Sequence, residues 1–252
     1  HRQDRGGPAV AATGGWPDRH FGIGRGTVDV IPGSHTVPMP PPRYVAIEGP
    51  PGAGVGVLAE RLAAQVDARL VRDPTEDNPF LHGFAGDPRR FAFQTQLYFL
   101  LARYRQQGEL AQGDLFARGG VVADYLFDRD AIWARIALSP AELALYEKVY
   151  GLLTANVPRP DLVVYVTAKS EVLRARLRRR VKATDRVVET GLIDDIAQAM
   201  SDFFFRYDEG PLLVVNTSEI DHVEDERTLD EIVAVIMRTR AGVQHYIPGS
   251  HG

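Results

Sequence analysis

The sequence predicts an α/β fold, a five-stranded parallel sheet covered by helices on both faces. Two observations carry that expectation. Five short runs, 44–47, 70–71, 120–124, 161–166 and 211–215, are continuously apolar apart from the terminal Asp124 and Asp161, rather than alternating, as strands buried on both faces are. Segments with helical periodicity separate them, and strands alternating with helices give a parallel sheet. A third observation says where a ligand would sit. The run Tyr44–Ile47 ends in Glu48 and opens into Gly49-Pro50-Pro51-Gly52-Ala53-Gly54-Val55-Gly56, after which Leu58, Ala59, Leu62 and Ala63 recur at helical spacing. Strand, glycine turn and helix are the layout of a phosphate-binding P-loop, G-x-x-x-x-G-K-[ST], so the fold expected is that of the P-loop NTPases.

Each element has its own warrant. Residues 1–42 read as a tail dense in Gly and Pro, 43–239 as one folded domain and 240–252 as a short C-terminal tail. After the glycine loop, Leu70-Val71 is a short strand that stops at Arg72-Asp73-Pro74. Phe91–Tyr104 is strongly apolar, with Phe93, Leu97, Leu100 and Tyr104 on one helical face. Gly120–Asp124 is a buried strand closed by an acid. Ser139-Pro140-Ala141-Glu142 is a capping box with Pro at the first helical position, opening a helix to about Ala155. The strand 161–166, the basic helix 171–180, the helix 190–207, the strand 211–215 and the helix 229–237 complete the domain.

Composition narrows the function classes. Lys plus Arg number 29 and Asp plus Glu 33, a net charge of −4, so nothing calls for a nucleic acid as partner. With no Cys, disulfides and thiolate metal sites are excluded, and the seven His show no ligand spacing, so no metal-ligating set is expected. No apolar run approaches the roughly 18 residues of a membrane span. With no charged-then-apolar signal segment at the start, the expectation is a cytoplasmic protein without a membrane partner.

In the glycine loop, Gly49 and Gly54 frame the pattern, and Gly52 and Ala53 lie between them. Such glycines let backbone N–H groups converge on a polyphosphate at a helix N-terminus. Val55 stands where the motif has Lys, and Gly56 where it has Ser or Thr. Neither supplies a charge or a donor. By analogy with removing one oxyanion donor, losing a fixed cation costs about 2.7–4 kcal/mol, about 10²–10³ in rate. Weakened activity is the expectation. Asp73 and Asp124 both end strands, where ligands sit in parallel sheets. Asp73 could equally just order the turn before Pro74. Gln96 and Arg103 return to nearly the same helix face after seven residues. A polar pair inside an apolar helix needs hydrogen-bonding partners, or else is a solvated stripe.

Several stretches, taken together, resemble the deoxynucleoside kinases, closest to their bacterial deoxyadenosine and deoxyguanosine kinase branch. They are YVAIEGPPGAG (44–54), DPTEDNPFL (73–81), DPRRFAFQTQLYFLLARYRQQ (87–107), GGVVADYLFDRDAIWA (119–134), RPDLVVYVTA (159–168), RARLRRR (174–180) and FFFRYDEGPLLVVNT (203–217). The resemblance implies transfer of the γ-phosphate of ATP, with Mg²⁺, to the 5′-hydroxyl of a deoxynucleoside. It implies that Asp73 is the general base, where the family has glutamate. Gln96, Arg103 and Asp130 would read the nucleobase edge. Trp133 stands where the family has a phenylalanine against the base, though a plain core aromatic is the alternative. Asp185 matches an acid that senses the sugar 3′-hydroxyl, while its partner tyrosine is replaced by Ala85. Arg176, Arg180 and Lys182 match a lid that closes over the phosphates, the alternative being an exposed basic helix face. Asp124 would hold Mg²⁺ through water. Tyr125 replaces an arginine found in many members, and Arg129, one turn on, could substitute. A homodimer, or a heterodimer with a paralogue, is implied, as is the alternative of a catalytically degenerate nucleoside-binding relative or non-catalytic partner of an active kinase.

Overall fold

A computed structural model describes residues 42–112, 120–180 and 190–249. The strands are β1 Tyr44–Glu48, β2 Arg69–Val71, β3 Val121–Ala123, β4 Leu162–Thr167, β5 Leu212–Asn216 and β6 Val243–Tyr246. They form one sheet in the order β2-β3-β1-β4-β5-β6, every pair parallel. The helices among the described residues are α1 Val55–Val66, α2 Leu81–Gly86, α3 Pro88–Gln112, α4 Arg129–Ala137, α5 Pro140–Thr154, α6 Ser170–Arg180, α7 Thr190–Phe205 and α8 Glu226–Ile236.

The expected strands are all present, but the sheet has six strands and not five. The sixth comes from the stretch read as a C-terminal tail. Val243-Gln244-His245-Tyr246 is an edge strand, largely exposed, and so lacks the apolar run that marks the others. It pairs with β5 from Leu212↔Val243 to Val215↔Tyr246. α8 starts earlier than expected because Asp225 caps it, accepting from the backbone N–H of Arg227 and Thr228.

Alternation along the strands divides the core into two layers. Val45, Ile47, Val122, Val164, Val166, Leu213 and Val215 face α1 and α8, meeting Leu58, Leu62, Ile232 and Ile236. Tyr44, Ala46, Val121, Ala123, Val163, Tyr165 and Leu212 face the other way, toward Ile132 of α4 and Ile196, Met200 and Phe204 of α7. Side chains alternate across a strand, so a sheet buried on both faces needs apolar residues at successive positions. A third cluster, around Phe84, Leu100, Phe127 and Tyr146, fills the space between α3, α4 and α5. No helix among the described residues is long and apolar enough to cross a membrane.

The strand order sets the site. β2, β3 and β1 are neighbours, so their carboxyl ends emerge side by side, carrying Asp73, Asp124 and Glu48. Asp124 donates its backbone N–H to Val71 O at 3.1 Å, extending the β2–β3 ladder by one step.

Truncation after Arg240 removes β6 and leaves the outer edge of β5 unpaired. With each backbone hydrogen bond worth about 0.5–1.5 kcal/mol net, the expected loss is about 2 kcal/mol. For a domain of this size that is a fall in Tm of roughly 4–8 °C. Thermal melts followed by circular dichroism measure it, and an unchanged Tm would show that β6 adds no net stability.

Candidate active site

The glycine loop keeps the backbone path of a phosphate loop. Gly52 and Gly54 have φ of 89° and 82°, the left-handed region that favours glycine. Between them Ala53 donates to Pro50 O at 3.0 Å, closing a tight turn. The loop is packed from outside as well. A Cβ on Gly52 would stand 2.7 Å from Leu173 O of α6, and one on Gly54 2.8 Å from His222 Nε2 and 2.6 Å from Val223. Pro50 and Pro51 contribute no N–H, Ala53 donates to Pro50 O and Gly49 to Glu48, so the remaining loop N–H groups are those of Gly52 and Gly54, followed by the first residues of α1.

The two substituted positions differ in where they point. Val55 packs its side chain against the core layer beneath α1. Gly56 faces the acids, since a Cβ there would lie 3.9 Å from Asp124 Oδ2. That carboxylate is the one facing position 56, which offers no hydroxyl to join it. Among the described residues no group of three or more His, Asp or Glu is arranged to hold a metal ion. These residues do not build a Mg²⁺ site by themselves.

Asp73 is the centre of the site. Its backbone N–H donates to Asp124 Oδ1 at 2.6 Å. Arg103 Nη2 donates to Asp73 Oδ1 and Arg129 Nη1 to Asp73 Oδ2, both at 2.8 Å. Burial opposes ionisation of this carboxyl, but Arg129 and Arg103 outweigh it and hold Asp73 below its ordinary value. Arg103 also donates through Nη1 to Asp130. Its guanidinium is flanked by the rings of Phe99 at 4.7 Å and Tyr125 at 5.5 Å. Burial works against the charge on Arg103, yet Asp130 and Asp73 raise it above its ordinary value. Asp130 is fully buried, and burial raises its carboxyl against the pull of Arg103. Burial likewise raises Asp124.

The structure thus brings together Asp73 and Asp124, just beyond the ends of β2 and β3, with Arg103 of α3 and Asp130 of α4. Gln96 is also buried, two turns before Arg103 on α3. Trp133 lies one turn beyond Arg129, whose guanidinium sits 5.8 Å from its ring. Hydrogen-bonding capacity is left over around this wall. Asp130 Oδ2, Arg103 Nε and Trp133 Nε1 are buried with no hydrogen-bond partner among the described residues. Such atoms are rare in folded proteins and call for a polar partner, water or ligand, beside Asp73.

The residues expected to form a lid divide. Arg176 is 2 % exposed and is committed to the loop after β5, donating to Thr217 Oγ1 at 3.0 Å and to Ile220 O at 2.7 Å, with Asp221 at 3.4 Å. It braces that loop, which carries His222 and Val223 onto Gly54. α6 ends at Arg180, while Lys182 and Asp185 lie outside the described residues.

Sequence reasoning missed Glu48 as a site residue. It is 1 % exposed, accepts from Gly49 N at 2.8 Å and from Leu126 N at 3.0 Å, and lies 3.8 Å from Arg129 Nη1. Burial raises its carboxyl above the ordinary value, against the pull of Arg129 and the two backbone N–H groups. The signal was a charged residue closing a run of otherwise buried strand positions. Also missed was a hydrogen-bonded chain that runs from the surface at Arg72 to the buried Tyr44, through the Tyr125 whose ring flanks Arg103. Gln106 Nε2 donates to Arg72 O, Tyr125 Oη to Gln106 Oε1, Gln107 Nε2 to Tyr125 Oη, and Tyr44 Oη to Gln107 Oε1.

Comparison with known proteins follows the same layout. The family model for deoxynucleoside kinase matches residues 45–239. The chain belongs to the deoxynucleoside kinase family. A deoxyguanosine kinase of Bacillus subtilis (strain 168) is 31 % identical over 195 residues, covering 76 % of this chain and 94 % of that protein. A deoxyadenosine/deoxycytidine kinase of the same organism is 22 % identical, covering 77 % and 92 %. Among solved structures, deoxyadenosine kinase from M. mycoides with bound dATP superimposes with a TM-score of 0.65 at 18 % identity, over 77 % of this chain and 97 % of that one, a likeness of fold. The six strands described here include β6, which lies beyond the end of the family match.

The Asp73 carboxyl gives this family member a pH signature. Its folded pKa lies below the unfolded value of about 3.9, so its stabilising contribution is present above that pH and is lost as pH falls through the lower folded value. Asp73→Asn leaves the buried Arg103 and the half-buried Arg129 each short of a counter-charge and should cost about 3 kcal/mol at pH 7. Denaturant titrations of wild type and variant should show that gap narrowing toward about pH 3. A gap independent of pH would rule out the ion pairs as its source.

Proposed function

We propose that this chain is a phosphotransferase that moves the γ-phosphoryl group of ATP to the 5′-hydroxyl of a deoxynucleoside. The observation that carries this reading is the Asp73 carboxylate, held ionised between two arginines beside the glycine loop and next to unused polar atoms of Asp130, Arg103 and Trp133. In the proposed step the 5′-oxygen forms a bond to the γ-phosphorus and the bond from that phosphorus to the β–γ bridging oxygen breaks. ADP leaves, and the hydroxyl proton passes to Asp73. Gln96, Arg103 and Asp130 would read the edge of the base and Trp133 would lie against it. Asp185 would sense the sugar. Gly49, Gly52, Ala53, Gly54, Val55 and Gly56 would supply the backbone cradle for the phosphates. Arg180 and Lys182 would close over them, with Arg176 supporting the loop behind. Any Mg²⁺ would arrive on the nucleotide, with Asp124 as its neighbour. The more similar of the two relatives is named a deoxyguanosine kinase, and the other a deoxyadenosine/deoxycytidine kinase, so a purine is the first substrate to try, with deoxycytidine beside it, and the setting would be the cytoplasm.

The test is direct. Purified protein is incubated with ATP and each of the four deoxynucleosides, and monophosphate is separated by chromatography. A purine deoxynucleoside should be phosphorylated, and Asp73→Asn should lower kcat by about 10²–10⁴. Val55 and Gly56 favour a second reading, a nucleoside-binding relative without turnover. Thermal stabilisation by a deoxynucleoside with no product would support it in place of the kinase.

Assembly is the other proposal. Leu101 on α3 and Leu145 and Leu152 on α5 are exposed at 49 %, 54 % and 77 %, whereas Phe99 is buried against Arg103. A two-fold pairing through this face, with a second copy or a paralogue, would cover them. Light scattering should give a dimer mass, and Leu145→Glu with Leu152→Glu a monomer. A wild-type monomer at the same concentration would exclude the homodimer.

A further inference from the structure

The phosphate loop has lost its lysine, and the described lid arginines with side-chain contacts are engaged elsewhere. Arg174 is paired with Asp194, Arg179 with Asp221, and Arg176 holds the loop after β5. Val55, partly buried against the core, supplies an apolar side chain where a cation would stand. Two guanidinium groups remain at the acids. Arg103 is boxed by Asp73, Asp130, Phe99 and Tyr125, its side chain 5 % exposed. Arg129 is held less tightly. It bonds to one oxygen of Asp73 and stands 3.8 Å from Glu48, and its side chain is 15 % exposed.

Its placement relative to the loop is built in. Glu48 closes β1 and accepts from Gly49 N, the first amide of the loop, through Oε1. Through Oε2 it accepts from Leu126 N, fixing the segment that leads into α4. Arg129 is the first residue of α4, and it faces the same Oε1. The guanidinium is therefore one carboxylate away from the phosphate cradle, with Trp133 a turn further on beneath it. A cation fixed in a site largely closed to water stabilises transferring phosphoryl charge whichever element carries it.

We propose that Arg129 is the cation that replaces the missing loop lysine, turning from Asp73 to the γ-phosphoryl group when ATP and substrate are bound. The proposal rests on the kinase reading for its catalytic part. Release of Asp73 from one of its two arginines would also leave one carboxylate oxygen free for the substrate hydroxyl, so a single movement would serve both partners.

A double-mutant cycle tests it. Wild type, Arg129→Ala, Val55→Lys and the double variant are assayed for kcat, for KM of the deoxynucleoside, and for ATP affinity by calorimetry. Arg129→Ala should lower kcat by about 10²–10³ with KM for the deoxynucleoside changed less than about threefold. Val55→Lys should raise kcat at least about tenfold in the Arg129→Ala background and much less in wild type, because two cations aimed at one phosphoryl group are redundant. Arg129→Lys should keep more activity than Arg129→Ala, and melts of each variant separate loss of the group from loss of fold. Independent, additive effects of the two positions would overturn the proposal. If the wild type turns over no deoxynucleoside, the kinase reading falls, and calorimetry decides this one alone. Weaker ATP binding in Arg129→Ala, restored by Val55→Lys, would sustain Arg129 as the phosphate cation, and unchanged binding would reject it.

Discussion

The carboxylate of Asp73, shared between Arg103 and Arg129, is the constraint on which the rest of the site depends. A buried ion pair gains little net stability over an apolar replacement, but removing one member leaves an uncompensated charge and costs several kcal/mol. Each member here therefore fixes another. Asp73 needs both arginines, Arg103 needs Asp130, and Arg129 is steered by Glu48. These residues come from β1, α3, α4 and the turn after β2. Elements far apart in sequence are locked to one geometry by charge balance rather than by hydrophobic contact, which is non-directional.

Connectivity of the sheet makes that balance possible. Because β3 runs between β2 and β1, three strand ends deliver three acids within one small region. Such a concentration of negative charge is tolerated because burial raises Glu48, Asp124 and Asp130, moderating their ionisation, while Asp73 alone is driven toward the charged form. Identical functional groups are set to different protonation tendencies by their surroundings, the arrangement that lets one pocket hold both a proton acceptor and hydrogen-bond partners.

Much of this was legible in the sequence, for physical reasons that also explain the gaps. Asp73 and Asp124 were marked by ending apolar strands, and Gln96 with Arg103 by a heptad spacing in an apolar helix. The glycine loop was marked by its layout. Glu48 was hidden because an acid closing a strand looks like a solvent-exposed end, whereas Arg129 and the backbone N–H groups of Gly49 and Leu126 are what make its burial possible. Arg176 belonged to a basic run whose members read alike, whereas their environments differ. It turns inward to carbonyl groups that a periodicity count does not reveal. β6 escaped because an exposed edge strand lacks a hydrophobic signature. The roles of Arg180, Lys182 and Asp185 depend on side chains that lie outside the described residues.

The paired prolines of the glycine loop have a consequence for how it meets an anion. Fixing one residue's backbone costs about 1–2 kcal/mol of conformational entropy, and in Pro50 and Pro51 the φ angle is already fixed by the ring. Pro50 is anchored further by accepting from Ala53. The cradle is thus rigid before anything arrives, and closing around a phosphate orders little that was not ordered already. In the phosphate site proposed for this loop, stiffness of the covalent chain would take over part of what additional amide donors provide in a more flexible loop, and recognition at this end of the sheet would be a matter of shape held in advance.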